Sequence, residues 1–361
     1  MTTSAASADE LLLSEIGEQP QVLRGILERS RRLEILALGR SLFDPMPPFA
    51  VLAARGTSDH AAVFMKYLLE TRLGLPVSLA APSVVTLYER TPAFAHSVVI
   101  AVSQSGRSPD LVAVLEHART AGARTLAVVN EVDSPLAKAA DHVLDIGAGP
   151  ERSVAATKSF VAQLLSLGLL VVGAEGSDAG QAYDRAETEF GALAEATSEV
   201  LAERSVQAIE AMARRLALYD RAFVAGRGYQ YPIALEVALK LKEMAGVLGE
   251  GYSAADLRHG PIALAGPEMP LVVIGGRGRT EPDLDALLVA ARTLKSPLAV
   301  LTDAVELSQR ADMSVILPTV SELAAPVVSA VAGQRLAFAW ARARGIHPGT
   351  PPAIHKVTET L

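Results

Sequence analysis

Apolar and polar positions alternate along this chain in two registers, one helical and one extended. Residues 11–40 carry apolar side chains at helical spacing and end in Gly39-Arg40, after which FDPMPPFA (43–50) breaks the helix. VLAARGTSD then reads as an apolar strand and a glycine turn, followed by a fresh helical pattern over 61–73. The same grammar recurs at SVVIAVSQSGRSPD followed by a helix over 111–120, and at TLAVVN (125–130) followed by SPLAKAAD. Short β-rich runs alternating with helices predict a parallel sheet covered on both faces.

A second copy follows the helical stretch 178–218. FVAGRG (223–228) repeats the look of LAARG (52–56), and Gly228 lies 172 residues after Gly56. LVVIGGRGRTEPDL matches SVVIAVSQSGRSPDL, with Asp283 lying 173 residues after Asp110. Ala299-Val300 sits 172 residues after Ala127-Val128. A period this long predicts duplicated domains and excludes a solenoid. The expected organisation is an N-terminal helical segment (1–35), two α/β domains (36–195 and 196–345) and a tail (346–361).

Composition narrows the class. Half of the 361 residues are apolar, 20% are charged and only 4% are aromatic, so Ala, Leu and Val must build the core. The length suits two domains. A net charge of −7 argues against nucleic acid as the main partner. There are no cysteines, which excludes disulfides, iron–sulfur clusters, Cys-ligated zinc and thiol nucleophiles. No His-x-His or His-x₃-His spacing suggests a zinc or iron site, so neither metal nor cofactor is expected. The N-terminus has no basic start or long apolar run of a signal peptide, and LLSLGLLVVG (164–173) is too short to span a bilayer. The expectation is a cytoplasmic protein with neither a membrane nor a nucleic-acid partner.

Four stretches carry candidate chemistry. Ser103-Gln104-Ser105-Gly106-Arg107-Ser108 follows a strand and opens a helix, the edge of an α/β sheet where ligands bind. Its hydroxyls and a helix N-terminus can hold a phosphate, although an N-cap and turn-forming serine cluster has the same pattern. Thr57 and Ser58, in the corresponding turn after the first strand, can add hydroxyls. The second copy has Gly276-Arg277-Gly278-Arg279-Thr280-Glu281 at that place, so the turn has been specialised once. Glu236, Lys240 and Glu243 fall at i, i+4 and i+7 of a helix over 231–243 with Pro232 in its first turn. They form either a solvated ion-paired face or a cleft lining fit for proton transfer. His259 stands before Gly260-Pro261 on a loop and is the only one of the seven histidines in a dense polar stretch, although a lone loop histidine is more often simply solvated. Lys356, in the Pro- and Thr-rich tail, is either solvated or a covering amine able to form an imine with a carbonyl.

RGTS, SQSG, the TKSF after VAA, GRGYQYPIALEVALKLKE and EGYSAADLRHGPIAL together resemble proteins with two sugar-isomerase (SIS) domains. The chain is similar to the synthase half of glutamine–fructose-6-phosphate amidotransferase and to stand-alone amino-sugar-phosphate deaminases, over roughly residues 30–361. The resemblance implies an α/β fold of two tandem doubly wound parallel sheets, flavodoxin-like three-layer α/β/α units. It implies a sugar-phosphate cradle at Thr57, Ser58, Ser103, Gln104, Ser105 and Ser108. Glu243 would move a proton between C1 and C2, with Lys240 and Glu236 beside it. His259 would assist ring opening and be supplied by the adjacent subunit of a homodimer, and Lys356 would form an imine with the ketose.

Departures from the family pattern are Arg107 and Ser108 for an acid and Thr, Ala156 for a serine, and Ile354-His355-Lys356-Val357 for Leu-Ala-Lys-Ser. The amidotransferases also carry a glutaminase domain with a cysteine nucleophile, and this sequence has neither. The expected reaction is conversion of a hexosamine 6-phosphate, glucosamine 6-phosphate above all, to fructose 6-phosphate and ammonia. The alternatives are aldose–ketose isomerisation without deamination, ammonia-dependent amination, or a non-catalytic phosphosugar sensor.

Overall fold

The computed structural model describes residues 5–176, 178–352 and 356. They form two compact units that interleave along the chain. One comprises residues 22–151, 159–176, 178–191 and 356, and the other 5–21, 152–158 and 192–352.

The first unit is built on a five-stranded parallel sheet of β1 (Ala50–Ala54), β2 (Val77–Leu79), β3 (Val98–Ser103), β4 (Arg124–Val129) and β5 (His142–Asp145). Its order is β2-β1-β3-β4-β5. The second unit holds β6 (Arg221–Gly226), β7 (Leu248–Ser253), β8 (Leu271–Ile274), β9 (Leu298–Thr302) and β10 (Met313–Ile316). Their order, β7-β6-β8-β9-β10, is the same arrangement repeated, and every pairing is again parallel. Two doubly wound sheets of identical order make the duplication a structural fact, and the order is the flavodoxin-like one.

Both sheets read as continuous apolar runs because helices cover both faces. All residues of β1, β3, β8 and β9 are buried. The edge strands β2, β5, β7 and β10 are partly exposed and correspondingly more polar. None of these four was legible as an apolar run.

Small residues set the helix packing. In the first unit a Cβ on Gly39 would lie 1.9 Å from the Leu170 carbonyl oxygen, and one on Gly173 would lie 2.2 Å from that of Leu36. Helices Arg29–Leu42 and Lys158–Glu175 therefore touch backbone to backbone, a contact that only glycine permits. Helix Lys158–Glu175 is 18 residues long, so the helix exceeds the apolar run read from sequence and by length and composition could cross a membrane. It is instead core, 89% buried within the fold. In the second unit Gly333 lets helix Ala325–Ala343 close onto Val237 of helix Tyr231–Ala245.

The helical stretch over 11–40 breaks at Glu18 and Glu28 into Ala5–Gly17, Gln19–Leu27 and Arg29–Leu42. The first break has an identifiable use in the second unit. Glu15 accepts the backbone N–H groups of Arg152 (2.6 Å) and Ser153 (3.1 Å), and Glu18 pairs with Lys158 at 2.5 Å. These contacts bind the 152–158 segment to the N-terminal helix.

Candidate functional site

In the first unit the register of β1 against β3 pairs Ala54 with Val102. The turns after both strands therefore leave the same carboxyl edge, at the point where strand order reverses. The turn after β1 carries Thr57 and Ser58 into helix Thr57–Arg72. The turn after β3 carries Gln104 through Ser108 into helix Pro109–Thr120, with Pro109 in its first turn. This edge is the ligand-binding edge of a doubly wound sheet.

The loop is held internally. Ser103 Oγ accepts the Gly106 N–H at 3.1 Å, and Gln104 and Gly106 carbonyls accept from Asn130 and Leu136. Gly106 has φ 61°, and a Cβ there would strike Ser134 at 2.2 Å, so glycine is required at this turn. Ser105 Oγ accepts a long contact from the Arg107 N–H, at 3.4 Å. Ser108 occupies the N-cap position, yet its side chain makes no cap hydrogen bond. The N-cap explanation of the serine cluster therefore does not hold for Ser108 among the described residues. Ser58 is buried and accepts from Gln163 Nε2 at 3.0 Å, retaining its own O–H as a donor. Burial also raises the Asp59 pKa above the usual carboxylate range, against the lowering pull of His60 and Arg55.

Two residues that the sequence reading passed over organise this edge. Arg55 Nη2 lies 2.8 Å from Asp110 Oδ2 and its Nε donates to the same oxygen at 2.9 Å, tying one turn to the other. The signal was present in the repeat landmarks: Arg227 pairs with Asp283 at 2.8 Å in the second unit.

Lys356 Nζ also belongs to the first unit and lies 3.0 Å from Glu151 Oε2. Glu151 is buried and accepts the Ser159 N–H (3.1 Å) and Oγ–H (2.7 Å). Lys356 is thus paired with a buried carboxylate, while its own side chain keeps 24% of its surface exposed. The neighbouring tail positions Ile354, His355 and Val357 lie outside the described residues.

The second unit carries the acid–base candidates. Helix Tyr231–Ala245 carries Pro232 in its first turn and ends at Gly246, which caps it at φ 59°. Helical spacing brings Glu236, Lys240 and Glu243 together, and the alternative of a solvated face is overturned. Lys240 is wholly buried, with Nζ 3.4 Å from Glu236 Oε1 and hydrogen-bonded to Glu243 Oε2. Burial alone pulls the Lys240 ammonium down, but the Glu236 and then the Glu243 carboxylate outweigh it and hold its pKa above the ordinary lysine value. The Glu236 side chain has no exposed surface, whereas that of Glu243 keeps 19%. Glu243 is the member of the trio open to a reactant.

His259 caps the short helix Ala254–Arg258 and is exposed. Its Nδ1 faces the Ala255 carbonyl oxygen at 2.8 Å, so Nδ1 is the donor of that contact and Nε2 is the ring nitrogen not engaged in it. Among the described residues no group of three or more His, Asp and Glu is arranged to hold a metal.

The fold, its duplication and these motifs define an SIS-domain protein. The SIS domain family model matches residues 50–173 and 216–340, and the chain belongs to that family, with two copies of the domain. Glutamine–fructose-6-phosphate aminotransferase (isomerizing) of Gloeobacter violaceus is 34% identical over 362 residues, covering 96% of this chain and 58% of that protein. The chain thus spans little more than half the length of such relatives. A chain from Silicibacter pomeroyi, provisionally described as a phosphosugar isomerase, is 30% identical with a TM-score of 0.79, covering 94% of this chain and 99% of that one. Glucosamine-6-phosphate deaminase of Thermotoga maritima has the same fold, with a TM-score of 0.74 at 21% identity over 97% of this chain and 100% of that one.

Proposed function

We propose that the protein is a cytoplasmic deaminase/isomerase that converts a hexosamine 6-phosphate, glucosamine 6-phosphate first, to fructose 6-phosphate and ammonia. The observation that carries this reading is the Glu236–Lys240–Glu243 cluster, a buried ammonium braced by two carboxylates of which one is open. A phosphosugar sensor has no need of such a cluster, since binding a phosphate calls for hydroxyls and amides and no proton carrier. The names of the amidotransferase and deaminase relatives support a phosphosugar substrate.

In this reading Ser105, Ser108 and Thr57 take the phosphate, with Ser103, Gln104 and Ser58 shaping the cradle. His259, contributed by the partner in a homodimer, assists ring opening through Nε2 and frees the C1 aldehyde. That carbonyl acidifies the C2–H bond. Glu243 removes the C2 proton and returns it to C1, which turns the amino aldose into a ketimine at C2. General acid–base steps of this kind contribute on the order of 10²–10⁴-fold.

Lys240, hydrogen-bonded to Glu243, passes protons, and Glu236 positions Lys240. Water then adds at C2 and the C–N bond breaks, with one water consumed for each ammonia released. An amine at Lys356 can take the same position first, releasing ammonia by imine exchange before hydrolysis.

The test is ammonia release from glucosamine 6-phosphate with fructose 6-phosphate followed in parallel. Equal amounts of both products support the reading. Interconversion of hexose phosphates without ammonia favours the isomerase alternative, and binding without turnover favours the sensor.

A further inference from the structure

The second unit repeats the strand order of the first, so it has a carboxyl edge of its own between β6 and β8. A cleft of about 630 Å³, counted out to its mouth, opens there. Arg227 enters it from the turn after β6, and Arg277 and Thr280 from the glycine-rich turn after β8. Asp303 and Glu322 also line it, close to Gly276 and Gly278 of that turn. Glu236, Lys240, Glu243 and His259 are not part of its lining.

The floor contains Gln230, only 8% exposed, whose Oε1 has no hydrogen-bond partner among the described residues. Gln230 holds the N-cap position of helix Tyr231–Ala245, but its side chain makes no cap bond. A buried carbonyl oxygen without a donor is rare in native proteins and marks a place where a ligand or water supplies one.

The charges define what fits. Arg227 is already engaged by Asp283 and donates to Ser253 Oγ at 3.0 Å. Asp303 Oδ1 accepts the Arg277 backbone N–H at 2.9 Å, which fixes the turn, and Arg277 is an exposed residue of the cleft lining. The occupant therefore needs an anionic group for Arg277 and a hydroxyl donor for Gln230, with further hydroxyls for Asp303 and Glu322. Inorganic phosphate carries its charge and its O–H donors on a single phosphorus, whereas a phosphorylated sugar spreads hydroxyls along a carbon chain away from its phosphate and can serve Arg277, Gln230 and the two carboxylates together.

We propose that this cleft is a second phosphosugar site, an effector site in the copy that lacks the serine loop. Gln230 links it to the chemistry, because it begins the helix that carries Glu236, Lys240 and Glu243.

Calorimetric titration of the full chain with fructose 6-phosphate tests this without any turnover, so its outcome is independent of the proposed reaction. The expected result is two sites per chain. Arg277→Ala should weaken one of them at least tenfold and leave the other intact, and Gln230→Met should weaken the same one. Replacing both Ser105 and Ser108 by Ala should do the converse. A single site per chain overturns the proposal, as do two isotherms that neither Arg277→Ala nor Gln230→Met changes.

Discussion

Arg55 and Asp110, 55 positions apart in sequence, form an ion pair of 2.8 Å that ties together the two turns of the candidate phosphate edge. Arg227 and Asp283 repeat it at 2.8 Å in the second copy. A charge pair preserved at the point of strand-order reversal in both copies is a framework contact that holds the two turns at a fixed spacing. The specialisation lies in what the framework carries, serines in one copy and glycine with arginine in the other.

The pair is asymmetric, and its mutants should be too. Asp110 has no exposed side-chain surface, while the Arg55 side chain is 47% exposed. Arg55→Ala strands a buried carboxylate without its cation and should cost about 2–3 kcal/mol, less than a fully buried pair because Arg55 is solvated. Asp110→Asn should cost less, since Arg55 can turn to water. Denaturant midpoints of the two variants check this order; equal losses would show that the pair does not brace the turns.

Removing the Ser105 and Ser108 hydroxyls together should raise KM by roughly 10- to 100-fold, given the strength of hydrogen bonds to a charged group. The rate at saturation should change little, because the phosphate lies far along the sugar from C1 and C2. A steady-state KM equal to that of the unmodified protein removes the phosphate-cradle assignment.

Lys240 gives stability a basic limit. Its folded pKa lies above the ordinary 10.5, so its contribution is fully present below that value and is lost as pH rises through the higher folded one. Lys240→Met should abolish this alkaline loss while destabilising the protein at neutral pH, where Glu236 is left buried without its cation. Denaturation midpoints across pH 7–12 read both effects. An unchanged alkaline limb in Lys240→Met would refute the bracing of the ammonium.

Gly39→Ala replaces a poor helix former by the best one, worth about 1 kcal/mol in an open helix. Here the new Cβ meets the Leu170 carbonyl oxygen at 1.9 Å, and backbone cannot yield as a side-chain tip can. Overpacking of this kind typically costs 1–3 kcal/mol, so the net change in thermal midpoint should be downward. A higher midpoint would mean that the two helices are not in backbone contact.

The apolar strands, the duplication and the Glu236–Lys240–Glu243 face were legible because each rests on local spacing. The Arg55–Asp110 pair was not, although both residues stood among the repeat landmarks. Their contact depends on β1 lying beside β3, which strand order decides and spacing does not. The same holds for Lys356 and Glu151, 205 residues apart. Burial of Lys240 also escaped the sequence, since i,i+4 charges look alike on a solvated face and beneath a packed helix. The edge strands β2, β5, β7 and β10 were missed because exposure lets them carry polar residues, and in β7 the run LGEGYS has no apolar continuity.

In the proposed reaction Glu243 carries the proton between C1 and C2, and ammonia release from glucosamine 6-phosphate by Glu243→Gln tests that role. The amide keeps the shape of the side chain but cannot accept the proton. The unmodified protein should release equimolar ammonia and fructose 6-phosphate. Glu243→Gln should show a loss of at least about 10²-fold, the lower bound for a general base, with phosphosugar binding retained. A near-normal rate of ammonia release in that variant would contradict the role.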